Sequence, residues 1–256
     1  LKYIEDNWEL LKPVCLWLKK LKCIPELERT QDICIDFISN DVWNYDYVPK
    51  NMITYDLLKA GVQKDGSFLN VMPESLRSEE LCYLAVQQDG DSIIHVPENF
   101  KTEELYKISV QQNGKALYYI PENMKTKELC FLAVQQNGVA LQFVSSHFLT
   151  EELCKIAVQQ NGDALFYVPD HLKTEELCEI AVQKNGIFLK HVPKHLITEE
   201  LCYLAIQNDG YALKHVPEHM KTKELCEIAV QNGFALQFVS PHFLTEELCE
   251  ISIKND

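Results

Sequence analysis

The stretch TKELCFLAVQQNGVALQFVSSHFL, residues 126–149, decides the fold, because it recurs along almost the whole chain. Its first residue has counterparts at Thr30, Thr54, Ser78, Thr102, Thr150, Thr174, Thr198, Thr222 and Thr245. Each follows the last by 24 residues, except that Thr245 follows Thr222 by 23, where the usual Gln-Gln shrinks to Gln231 alone. With positions numbered 1 to 24, the consensus is T-E-E-L-C-x-L/I-A-V-Q-Q-N-G-x-A-L-x-x-V-P-E-H-L/M-K. Pro25 stands 24 residues before Pro49, so residues 6–29 read as a degenerate first unit. Residues 126–149 nearly match 222–244, and the units before each (102–125 and 198–221) both end in Met-Lys, so a block of four units has been duplicated. A fixed period of this length is the mark of a solenoid, in which each unit buries its apolar face only against its neighbours.

Each position can be read for local structure. Thr or Ser at position 1 is a good helix N-cap, and the Glu residues at positions 2 and 3 suit the positive end of a helix dipole. Apolar residues at positions 4, 7 and 8, widened by 5 and 9, form a helical stripe; in the 126 repeat these are Leu129, Leu132, Ala133, Cys130 and Val134. Eight of the nine glycines fall at position 13, among them Gly66, Gly138 and Gly210. After Asn or Asp at position 12 this reads as a left-handed C-cap, so the first helix should span positions 2 to 11. A shorter stripe at positions 15, 16 and 19, ended by Pro at position 20, reads as a second helix. The competing reading is a leucine-rich repeat, whose period range includes this one, but no alternating L-x-L strand recurs. The pattern favours an all-α helical-hairpin solenoid of about ten 24-residue units. We expect an elongated right-handed superhelix, with a radius of gyration above the ~18 Å of a compact domain this size. Residues 1–53 hold all three tryptophans and no glycine, and read as divergent capping repeats. Residues 54–256 read as the regular array. The chain opens at Leu1 rather than Met and ends one helix into a further unit, which reads as a fragment of a longer array.

The recurring A-V-Q-Q-N-G-x-A-L-x-x-V segment resembles a family of short helical repeats classed only as a domain of unknown function, found in intracellular bacteria and giant viruses. The resemblance covers about residues 54–256. It implies a repeat fold in a host cytosol or a virus particle, and it carries no catalytic residues to this chain.

Composition narrows the function. A net charge of −14 opposes nucleic acid and anionic membrane surfaces, and no stretch is apolar enough to span a bilayer. Cysteines occupy position 5 in eight repeats (Cys34, Cys82, Cys130, Cys154, Cys178, Cys202, Cys226 and Cys249), a place that also accepts Leu58 and Tyr106. Such a place is a packing position, and buried free thiols imply a reducing, cytoplasmic setting. The histidines lie at position 18 (His95, His191, His215) or position 22 (His147, His171, His195, His219, His242) and read as half-buried rings at the repeat junctions rather than as metal ligands. Gln at position 10, from Gln63 to Gln231, is expected to form a ladder of amide bonds between adjacent turns. Acid pairs such as Glu103–Glu104 and Glu151–Glu152 recur at helix starts, whereas an active site is singular. We therefore expect no catalytic residue, no metal and no cofactor.

Positions 6, 14 and 17 vary most between repeats. Their aromatic members Tyr83, Phe131 and Tyr203 (position 6), Tyr211 (position 14) and Tyr118 and Phe166 (position 17) are the expected partner-binding face. Phe234 also falls at position 14. The expected function is a non-catalytic scaffold for a protein partner. The alternatives are a spacer or assembly component of a large particle, and the non-catalytic arm of a larger enzyme or effector.

Overall fold

A computed structural model describes residues 2–233 and 235–255; Phe234 at position 14 lies outside the described residues. The chain is all-α, and the described residues contain no strand. It divides into two compact units, Leu1–Met124 and Lys125–Asp256.

Each regular repeat opens with an α-helix over positions 2 to 11, for example Lys127–Gln136, Glu151–Gln160 and Glu175–Lys184. These are the bounds the capping pattern predicts. The position-1 hydroxyl accepts the N–H of position 4 at 3.1–3.4 Å in every repeat from Thr30 to Thr245, which satisfies one of the helix's free donors.

The far end of the helix differs from expectation. Position 12 is the hinge. Its backbone is extended, with φ between −142° and −159° from Asp41 to Asp209. Its N–H still closes the α-helix, as in Asn137 to Ala133 at 2.9 Å. Its side chain then accepts the N–H of position 14 at 2.8–3.1 Å. One Asn or Asp therefore ends the α-helix and N-caps the next element. That element is a 3-10 helix, such as Gly138–Phe143 or Gly162–Tyr167, and not a second α-helix. A further single 3-10 turn comes after the proline, as in Asp170–Leu172 after Pro169. Proline thus ends one helix and begins the next, where its missing N–H costs nothing.

The left-handed C-cap expected at position 13 does not occur in the described regular repeats. Among the described position-13 glycines only Gly233, in the shortened repeat, has a positive φ. Gly66, Gly90, Gly138, Gly162, Gly186 and Gly210 are glycine because the next repeat comes too close. A Cβ on Gly66, Gly138, Gly186 or Gly210 would overlap the position-8 carbonyl oxygen of Ala85, Ala157, Ala205 or Ala229. At Gly162 the space belongs to the ring of Phe188. Where Ser109 replaces the position-8 alanine, its hydroxyl donates to Gly90 O across the same gap at 2.8 Å.

Within Lys125–Asp256 each α-helix packs on the next, and the 3-10 helices from Gly138–Phe143 to Gly210–His215 stack beside them. Within Leu1–Met124 the helices Gln31–Asn40, Tyr55–Lys64, Glu79–Gln88 and Glu103–Gln112 do the same. Positions 4, 5, 8 and 9 form the core; Leu129, Cys130, Ala133 and Val134 are at most 2% exposed. Position 7 sits on the flank and is half-buried in most repeats. In the N-terminal region Asn44, almost wholly buried, joins the chain together. It accepts the N–H of Leu21 at 2.9 Å and donates to the carbonyls of Lys19, Phe37 and Asp41 at 3.0–3.2 Å. The helix Trp8–Leu18 turns Trp8 and Cys15 inward and leaves Leu10, Val14 and Trp17 exposed.

Candidate functional site

Most repeated polar and sulfur-bearing residues serve the scaffold. Seven of the eight position-5 cysteines are buried, and Cys249 is partly exposed. Burial pushes the thiols of Cys82, Cys154, Cys178 and Cys202 up to about 11, so they stay protonated and poorly nucleophilic. The histidines split. His95, His191 and His215 are half-buried, and burial, helped by neighbouring cations, holds their pKa values below the ordinary range. The five at position 22 are exposed rather than half-buried, because the single 3-10 turn that ends each repeat carries them out to solvent. Among the described residues no three His, Cys, Asp or Glu side chains gather closely enough to share a metal. No described helix is long and apolar enough to cross a membrane.

The amide ladder lies one residue further on than expected. The position-10 glutamines are exposed, and Gln183 bonds Glu179 on its own helix at 3.1 Å. Position 11 spans the repeats instead. Gln160 donates to Gln135 O at 2.8 Å, and Asn208 to Gln183 O at 2.7 Å. In the shortened repeat Asn232 takes this place and reaches Gln207 O.

A second cross-repeat link is carried by position 24. Arg29, Arg77, Lys125, Lys173 and Lys221 each donate to the position-18 carbonyl of the following repeat: Tyr47, His95, Phe143, His191 and Phe238, at 2.7–3.0 Å. These cations recur every 48 residues. Between them position 24 holds Ile53, Leu149, Ile197 and Leu244, with Lys101 as the exception. The alternation is visible in the sequence once position 24 is read down alternate repeats.

Within each unit the outward positions stand on two kinds of element. Tyr83, Phe131 and Tyr203 stand on the α-helices. Tyr83 and Tyr203 are each 40% exposed, and Phe131 is half-buried. Tyr118, Phe166 and Tyr211 stand on the 3-10 helices; Tyr118 and Phe166 are over 60% exposed, and Tyr211 is half-buried. Position 6 borders grooves between the starts of neighbouring helices. One groove lies between Glu175, Glu179, Glu200 and Leu204, the next between Glu199, Tyr203, Met220 and Glu224. Positions 14, 17 and 18 border a different depression, where Phe166 meets His191 at 5.0 Å beside Val139 and Tyr167. On that side Tyr211 meets Phe238 edge-on at 4.9 Å, and the Lys214 ammonium lies over both rings.

No curated protein and no solved structure matches the chain. One family model matches three consecutive stretches, residues 102–149, 150–197 and 198–244, each a pair of repeats. That pairing is the spacing on which the position-24 cations recur. The matched stretches cover more than half of the chain, which therefore belongs to the family described as Domain of unknown function (DUF4116).

Proposed function

We propose that this chain is a non-catalytic scaffold that holds a protein partner on its outward positions. The observation that carries the reading is a division of labour within every repeat. Positions 1, 5, 8, 9, 11, 12, 13 and 24 cap, pack or link the stack, and they hold few residue types. Positions 6, 14 and 17 change from repeat to repeat and include exposed aromatics, the side chains that most often anchor protein interfaces. Buried thiols with raised pKa values suit a reducing compartment, where we place the protein.

The test is a pull-down from native lysate with the parent chain and with a variant in which the outward residues at positions 6, 14 and 17 are changed to Ser or Lys. Circular dichroism must show the fold intact. Capture by the parent and loss by the variant supports the scaffold. Capture of nothing by either overturns it in favour of a spacer.

A further inference from the structure

The position-6 surface carries a pattern that the scaffold leaves unused. At the step between two repeats, the position-3 glutamate of the second faces position 6 of the first. In some steps the chain supplies its own cation there: Lys59 pairs with Glu80, and Lys155 with Glu176. In the two steps between Glu175 and Leu225 it does not. Position 6 is Glu179 in one and Tyr203 in the other. Among the described residues no cation pairs with Glu200 or Glu224, nor with Glu175 or Glu199 beside them. Between these carboxylates the surface is hollowed into two consecutive grooves of about 190 and 390 Å³. Their linings include apolar side chains: Leu196, Leu201 and Leu204 in the first, Tyr203, Met220 and Leu225 in the second. The same architecture thus carries an internal lysine in some steps and none in these, where the groove is lined by carboxylates and apolar side chains.

We propose that these two grooves dock a basic, extended segment of a partner protein, with Lys or Arg side chains on Glu200 and Glu224 and apolar side chains in the two hollows. This rests on the scaffold reading above and names the partner's chemistry. Adjacent packed helices lie about 8–10 Å apart. An extended segment in the polyproline II conformation advances about 3.1 Å per residue with three residues per turn, so every third side chain points the same way and meets a hollow. The recognised pattern is an apolar residue, two basic residues and an apolar residue, repeated. An opposite charge on the segment also steers its approach.

The probe is a fluorescein-labelled peptide with leucine at every third position and Lys-Arg between, titrated with the full chain by fluorescence anisotropy. Two controls are a peptide with Asp-Glu in place of Lys-Arg and one with Gly in place of Leu. The decisive variant is E179K/Y203K, which supplies both steps with the internal cation that Lys59 and Lys155 supply elsewhere. It should bind at least tenfold more weakly than the parent, and so should E200Q/E224Q, which removes charge while keeping shape. Either variant gives the answer if the other fails to fold. Both control peptides should bind at least tenfold more weakly to the parent, and raised salt should weaken the basic peptide. Equal binding by parent and folded variant, or equal binding of the acidic peptide, overturns the proposal. So does a parent dimer that E179K/Y203K dissolves, since the occupant would then be a second copy. If E179K/Y203K keeps a lysate partner that the broad position-6, 14 and 17 variant loses, the scaffold stands and the groove assignment falls.

Discussion

Gly138→Ala tests the reason for the glycine at position 13. A Cβ there would lie roughly an ångström inside the ~3.3 Å at which carbon and carbonyl oxygen ordinarily meet, and the oxygen, Ala157 O, belongs to a helix backbone that cannot turn aside. Gln160 Cβ stands 3.0 Å away on the same helix, so the whole helix must retreat. Forcing an extra methyl into a packed site costs about 1–3 kcal/mol. Here the retreat also stretches the position-11 bond from Gln160 to Gln135 O, so we expect about 3 kcal/mol. Urea unfolding followed by circular dichroism at 222 nm reads the change. Gly138→Asn separates this cause from backbone conformation. A left-handed site accepts Asn better than Ala, whereas a close approach rejects the larger side chain more strongly. An Ala variant as stable as the parent, or an Asn variant more stable than Ala, would refute the close-approach account.

Lys173→Met should cost about 1–2 kcal/mol, because it removes a charged donor from His191 O while an apolar side chain remains sterically acceptable, as Ile197 and Leu149 show. The same change should raise the His191 pKa seen by NMR, since Lys173 is among the cations that lower it; an unmoved titration would contradict the contact. Asn44→Leu strands the Leu21 N–H in a buried site and removes a side-chain donor from the Lys19, Phe37 and Asp41 carbonyls, of which Phe37 O and Asp41 O keep backbone donors, and should cost about 2 kcal/mol. Hydrogen exchange at the Leu21 amide should speed up, and unchanged protection would count against the hub. Stability should fall as pH rises from 9 towards about 11. The thiols of Cys82, Cys154, Cys178 and Cys202 ionise near 9 when unfolded and near 11 when buried, so the folded state holds more protons in that window. Each contributes at most about 1.4 kcal/mol per pH unit. A Cys154→Ala, Cys178→Ala, Cys202→Ala variant should lose part of that alkaline slope, and an identical slope would sink the assignment.

The local elements were legible because their determinants are local. A hydroxyl at position 1 and an N–H three residues on lie in one turn, so Thr126 announces the start of Lys127–Gln136 without outside help. The buried cysteines were legible because Leu58 and Tyr106 share their position, and only packing tolerates all three. The glycine was misread because one residue type answers two needs. Gly138 could supply a positive φ or yield space, and the atom that decides, Ala157 O, sits 19 residues later in a different repeat. The amide ladder was displaced by one for a similar reason. Positions 10 and 11 are often both glutamine, and only the stacking of Glu151–Gln160 on its predecessor shows which side chain faces across. Position 10 serves through its carbonyl, which any residue would provide. The outward face was read as one surface because positions 6, 14 and 17 vary alike; variation alone does not say that an α-helix carries one and a 3-10 helix the others.

The position-24 alternation sets a rule for how such a chain can grow. The cations at Arg29, Arg77, Lys125, Lys173 and Lys221 each reach a carbonyl in the next repeat, and Ile53, Leu149 and Ile197 at the same place are at least half-buried. A recombination event that inserts or deletes one repeat changes that parity downstream, whereas one that moves a pair leaves every junction as it was. The heritable module is therefore the pair, and stable array lengths should differ by even numbers of repeats. The near-identity of residues 126–149 and 222–244, four repeats apart, has that parity.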